Sequence, residues 1–276
     1  MEESWNRKIY FLSILLVMIL AAVSYCGAFI PLTYDLETPS MAAQGVGQDL
    51  VNLFIVVPFF IFILFRFHKA GVKRLLVLGG LVLYVLYSFV IYAMGVHFNY
   101  LFLWYCAILG LAVYVFIFTL VELGRHDFTL SCGKSLRIGT SVFLISIAIL
   151  FYGLWLKEIV IALLAKTAPQ SVQDYNLLVN PVHVEDISFI LPGLILSAVL
   201  FLKKHRWADV LVPVALVFIL LMALALIGMV LVLQIRQVGE DWSIAGIFLV
   251  LAIISFVLLR KLFQQVEHKK PLRLNL

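Results

Sequence analysis

The sequence predicts an all-α integral membrane bundle of eight transmembrane helices with both termini cytoplasmic. Three observations predict it. Of 276 residues, 64% are apolar and only 13% are charged, whereas a soluble domain is about half apolar and about a quarter charged. The apolar residues gather into eight runs, at 9–30, 49–65, 75–96, 100–121, 138–157, 186–202, 210–234 and 243–259. Each run is long enough for a bilayer crossing of roughly 20 residues, or becomes so with a turn of its flank. The basic residues also alternate. With a cytoplasmic N-terminus only Lys157, Lys166 and Arg236 lie outside, which leaves 17 of 20 inside, as the positive-inside rule requires.

The same composition, with a mean hydropathy of +1.12, excludes a soluble enzyme, a secreted disulfide scaffold and any sizeable extramembrane domain. The net charge of +5 needs no nucleic acid, because basic residues that hold cytoplasmic loops account for it. The expected partners are the lipid bilayer and a small solute or ion. No protein partner is identifiable.

Span 1 is expected to be retained. The run from Ile9 to Ile30 is too long for the core of a signal peptide, and SYCGAF lacks a small-x-small cleavage site. Thr38-Pro39 is a helix-starting pair, so span 2 is expected to begin in the outer loop and run inward. Within it Gln48 and Asp49 stand four and three residues before Asn52, and the three make one polar strip. Showing that strip to lipid is costly, so it is expected to face the interior. Pro58, Pro192 and Pro213 fall inside spans and predict local kinks.

In span 3, Tyr84, Ser88 and Tyr92 form a stripe, with Tyr87 beside it. His97 and Asn99 sit in the turn to span 4, which opens with Tyr100, Trp104 and Tyr105. An interfacial aromatic belt explains Tyr100 and Trp104. It does not explain the deeper Tyr84 and Tyr87, whose hydroxyls need partners in a polar pocket or an interhelical bond. Span 5 reaches the outer boundary at Glu158, and the following IVIALLA either extends it or lies along the interface. Asn180-Pro181 starts span 6, where His183 and Asp186, three apart, share a face. Such a pair can bind a cation, move a proton or cap a helix mouth, and first-turn acids also suit the helix dipole. The cysteines Cys26, Cys106 and Cys132 form no framework and no metal spacing, and read as packing residues.

The chain is expected to be a single transmembrane domain over 1–276, with candidate repeat halves 1–124 and 125–262 and a basic cytoplasmic tail at 263–276. Spans 2 and 6 each open on an acid, hold one proline and close on a basic residue. Asp49 to Arg66 and Asp186 to Lys203 are both 17 residues, or about 25 Å of helix. A parallel four-plus-four repeat would follow, with spans 2 and 6 as neighbours and Asp49 and Asp186 facing one another across one cavity near the outer surface. Nine of the fifteen acids fall on that outer side.

No nucleophile elbow, zinc-protease, phosphate-loop or dinucleotide motif occurs, so no catalytic residue, cofactor or metal is assigned. What remains is a candidate ligand-binding set: Asp49, Asn52, Tyr84, Tyr92, His97, Asn99, Glu158, His183 and Asp186. These would line an outward-facing polar pocket that binds or transports a cation, a proton or a small amine-bearing solute. One alternative is a membrane-embedded enzyme acting on a lipid-like substrate at the outer leaflet, with His183 as base and Asp186 orienting it. Another is a non-catalytic sensor or assembly subunit whose basic tail rests on anionic lipid.

The stretches NPVHVEDISFILP, YVLYSFVIYAMGVHFNYLFLWY and QGVGQDLVNL resemble a family of polytopic bacterial inner-membrane proteins of unassigned activity. The resemblance implies a bacterial plasma membrane and the eight-span fold, and it implies no functional residue.

Overall fold

A computed structural model describes residues 2–65, 71–239 and 242–268. Eight helices in it are long and apolar enough to cross a membrane. They are span 1 (Arg7–Phe29), span 2 (Pro39–Leu64), span 3 (Val72–Gly95), span 4 (Phe102–Arg125), span 5 (Lys134–Ala165), span 6 (Pro181–Leu202), span 7 (Ala208–Ile235) and span 8 (Trp242–Phe263). Helices satisfy every backbone group internally, which the hydrocarbon demands. Arg66, Lys69, Glu240, Asp241 and the tail beyond His268 lie outside the described residues.

Helix starts follow the capping chemistry. The Thr38 side chain accepts from Met41 N at 3.4 Å with Pro39 in the first turn, so span 2 begins ten residues before its apolar run. Asn180 Oδ1 accepts from Val182 N at 3.0 Å and Pro181 follows it, which starts span 6. Span 5 continues through IVIALLA to Ala165, so that segment extends the helix, which ends on a left-handed Lys166.

Spans 3 and 7 form the interior. Span 7 is apolar all round, as a helix enclosed by others must be, and packs on spans 2, 3, 6 and 8. Span 1 packs on spans 2 and 4, and span 5 on span 6. Spans 5 and 8 do not pack against one another along their length. Spans 2 and 7 approach at two glycines: a Cβ on Gly47 would stand 2.6 Å from Gly228 O, and one on Gly228 would stand 2.4 Å from Val51 Cγ2.

Spans 2 and 6 are not smooth helices. Each has a π-turn, with Val57 N bonding Asn52 O and Leu191 N bonding Asp186 O. Pro58 and Pro192 come next in sequence after those donors. Proline has no N–H and its ring crowds the carbonyl four residues back, and the wider turn just before it relieves that crowding. The expected kinks at Pro58 and Pro192 thus take the form of π-turns, whereas Pro213 sits inside a continuous helix.

The bundle has two distinguishable ends. At one, Thr33 meets Tyr100 at 2.8 Å, tying the 1–2 connection to the 3–4 connection, and Gln44 Nε2 near the start of span 2 donates to Tyr175 of the 5–6 connection at 3.2 Å. We call this the loop end. At the other, strand β1 (Phe128–Leu130) pairs antiparallel with β2 (Val266–His268). This ribbon was not legible in the sequence and folds the first part of the expected tail back onto the 4–5 connection.

Candidate functional site

A cavity of about 400 Å³ opens among spans 2, 3, 5, 6, 7 and 8. It runs along span 5 from Trp155 to Ile147, roughly 12 Å of helix. Its deep part is apolar, with Ile147, Phe151, Leu194 and Phe218, and its polar groups gather toward the loop end. The expected polar pocket is therefore an apolar cavity with a polar rim.

Asp186 is the chemical centre of that rim. Its position at the start of the π-turn puts a buried carboxylate on the cavity wall. Tyr87 donates its hydroxyl to Oδ1 at 3.1 Å, and Trp155 Nε1–H donates to Oδ2 at 2.7 Å. Both donors are neutral. No Lys, Arg or His is among the described residues lining the cavity. The other acid there, Glu37, accepts from the His97 backbone N at 2.7 Å and lies 3.0 Å from His97 Nδ1. Asp186 is thus held by hydrogen bonds, without a basic partner among the described residues.

The 166–180 connection covers the mouth. Its short helix Gln170–Asp174 brings Ser171, and Tyr175 beyond it, into the cavity wall. Glu158 Oε1 accepts from Ser171 N at 2.7 Å, and Asn180 Nδ2 donates to Ser171 Oγ at 3.1 Å, which fix this cover to spans 5 and 6.

Of the nine residues chosen from sequence, only Tyr92 and Asp186 line the cavity. Asp49 does not. Fully buried, it accepts a hydrogen bond from the Tyr34 hydroxyl and fits a notch in span 1, where a Cβ on Gly27 would stand 1.8 Å from its Oδ2. Burial and the neighbouring Asp49 push the Tyr34 hydroxyl well above its ordinary pKa, which keeps it a proton donor. Asn52 and Tyr84 belong with Asp49 in the interior: Tyr84 donates to Asn52 Oδ1 at 2.7 Å.

The expectation that Asp49 and Asp186 face one another fails for this reason. Span 2 turns Asp49 toward span 1, and spans 2 and 6 are each packed on span 7 instead of on one another. His183 and Asp186 form no dyad either. The Trp155 ring lies against His183, 4.8 Å between centroids, while its N–H takes Asp186. His183 Nε2 instead stands 3.5 Å from Glu158 Oε2. The arrangement on which the enzyme alternative rested, a His183 base oriented by Asp186, is absent. Asn99 is a turn residue: its Oδ1 accepts from Leu101 N at 2.9 Å and its Nδ2 donates to Thr33 O at 3.1 Å.

Sequence reasoning missed Trp155, Gln44 and Glu37, and left Gln48 and Tyr87 out of the ligand-binding set although it had placed Gln48 in the inward strip and Tyr87 beside the tyrosine stripe. Tyr84 and Ser88 are fully buried, and the span 3 residues that reach the cavity are Tyr87, Ile91 and Tyr92. For Trp155 a signal existed, since it precedes Glu158 by three residues on one helical face.

The fold and the cavity define a multi-pass helical membrane protein with an internal, largely apolar chamber whose polar rim holds Asp186 and the His97-paired Glu37. No protein-family model, curated protein or solved structure matches the chain.

Trp155→Phe removes the donor to Asp186 Oδ2 and leaves a buried carboxylate oxygen unpaired. The expected cost is about 1–3 kcal/mol, read as a lower unfolding temperature in detergent. Tyr114→Phe, on an exposed ring packed on Phe118, should leave it unchanged. Equal unfolding temperatures for the two variants would contradict the assigned bond.

Proposed function

We propose that this protein binds and transports an amphiphilic solute bearing a protonated amine, with the amine at Asp186 and the apolar body in the chamber. One observation carries the reading: in the polar rim of a largely apolar cavity stands a carboxylate that no basic side chain among the described residues neutralises. A buried charge calls for a partner, and an N–H-bearing cation can supply both charge and hydrogen bonds. The two neutral donors already fix the carboxylate in place, so little reorganisation accompanies binding. The gap between spans 5 and 8, both of which reach the cavity through Phe151 and Phe248, supports entry from the bilayer.

The test is calorimetric titration of the protein in nanodiscs with octylamine and with octan-1-ol. Octylamine should bind at least tenfold more weakly to Asp186→Asn than to the parent, a loss of about 1.4 kcal/mol or more. Octan-1-ol should bind both alike. Undiminished octylamine affinity in the variant would remove the basis of this reading.

The loop end is proposed to face outward and both termini the cytoplasm of a bacterial plasma membrane. Support comes from the basic residues: Lys73, Arg74, Lys134 and Arg137 in the first turns of spans 3 and 5, and Lys203 and Lys204 just after span 6, all fall at the other end. A thiol placed at Gln173 should react with an impermeant reagent added to intact cells, and one placed at Ser135 should not. The opposite pattern would invert the assignment. A parallel repeat is supported by the two π-turns, each starting six residues before its proline, at Asn52 and Asp186. This register pairs Asp186 with Asn52, not with Asp49. Packing departs from the repeat at one place: spans 1 and 4 pack together, and their counterparts 5 and 8 do not.

A further inference from the structure

The residue before Asp186 points into a different space. A second cavity of about 310 Å³ lies at the loop end, between the end of span 3, the turn after it, the 176–180 segment and the start of span 6. Successive helical residues are rotated by about 100°, so one helix gives Asp186 to the first cavity and Glu185 to the second. Val96, Leu177 and Pro181 border both, which makes the partition between them one residue thick at those points.

The second cavity has the chemistry of a site. Glu185 is 7% exposed, and its Oε2 is buried without a hydrogen-bond partner. A buried acceptor left unpaired is costly, and native structures rarely tolerate one without a reason. No Lys or Arg is among the described lining residues, and His97, the other ionisable group there, is engaged with Glu37. Apart from Asn176 the remaining lining side chains are apolar, including Val90, Met94 and Val184. Its rim carries Leu178, fully exposed, and Met94, 75% exposed. Apolar side chains so placed on a membrane bundle meet lipid, and Tyr100 and Trp104 nearby in sequence suit the headgroup level.

We propose that this second cavity binds an ammonium group carrying N–H donors and attached to an apolar body, with Glu185 Oε2 as its acceptor. The chemistry is shared by the headgroup of an aminophospholipid and by a free alkylamine. A quaternary ammonium lacks the N–H that the unpaired oxygen accepts and is discriminated against. The site is independent of the first: it uses a different carboxylate and a different opening.

Native mass spectrometry of the detergent-purified full chain tests it, with phosphatidylethanolamine, phosphatidylcholine, phosphatidylglycerol and octylamine as separate probes. The parent is expected to retain phosphatidylethanolamine at least tenfold more than phosphatidylcholine or phosphatidylglycerol. Glu185→Gln loses that preference. Val184→Trp, which fills the cavity from a half-exposed position, loses it too and covers the case that Glu185→Gln does not fold. Octylamine should load twice on the parent and once on Glu185→Gln, whereas Asp186→Asn removes only the first-cavity copy. Octylamine loss in Glu185→Gln without any phospholipid preference assigns the site to free amines. If neither Glu185→Gln nor Val184→Trp changes the binding of any probe, the proposal is overturned. A second octylamine that survives both variants while Asp186→Asn loses one counts against this site and leaves the first intact.

Discussion

A carboxylate in a membrane bundle has nowhere to go but inward, and the arrangement around Asp186 depends on that constraint. Exposing it to hydrocarbon costs roughly 2.5–3.5 kcal/mol at mid-bilayer, so span 6 presents it to the interior. There it meets Tyr87 from span 3 and Trp155 from span 5. Three helices are thereby joined at one side chain, and the two rings also wall the chamber. Asp49 obeys the same constraint by another route. Tyr34 covers it and Gly27 makes room for it, on the far side of span 2.

The prolines give that constraint its geometry. Pro58 and Pro192 force a wider turn just before them, and the residues that open those turns are Asn52 and Asp186. π-Turns re-aim side chains and are frequent at functional sites. Here one aims an amide at Tyr84 and the other aims a carboxylate at the chamber. Spans 2 and 6 thus carry the same device with different uses. One meets the Tyr84 hydroxyl inside the protein, and the other borders open space.

How far the sequence foretold this depends on the kind of force involved. Eight apolar runs and their caps were legible because hydropathy and helix-starting chemistry are local: Thr38-Pro39 and Asn180-Pro181 start helices where expected. Rotation about each helix axis was not legible. Tyr84 and Tyr87 are three residues apart, and only tertiary packing decides that Tyr87 reaches the chamber while Tyr84 bonds Asn52. The equal 17-residue spacing of Asp49 and Asp186 from basic residues measures depth, and depth carries no information about which neighbour a side chain meets. His183 and Asp186 share a face by spacing, but the Trp155 indole from another span comes between them.

The central claim is that the unneutralised acid of an apolar chamber receives a cationic head. An experimental density map of the protein in nanodiscs with a terminally iodinated alkylamine tests it most directly. The account predicts the amine nitrogen about 2.7–2.9 Å from an Asp186 carboxylate oxygen, with the iodine deep in the chamber beside Ile147 and Phe218. Iodine at the loop-end rim with the nitrogen turned away from Asp186, or a chamber filled by neutral lipid chains in the presence of the amine, would contradict it.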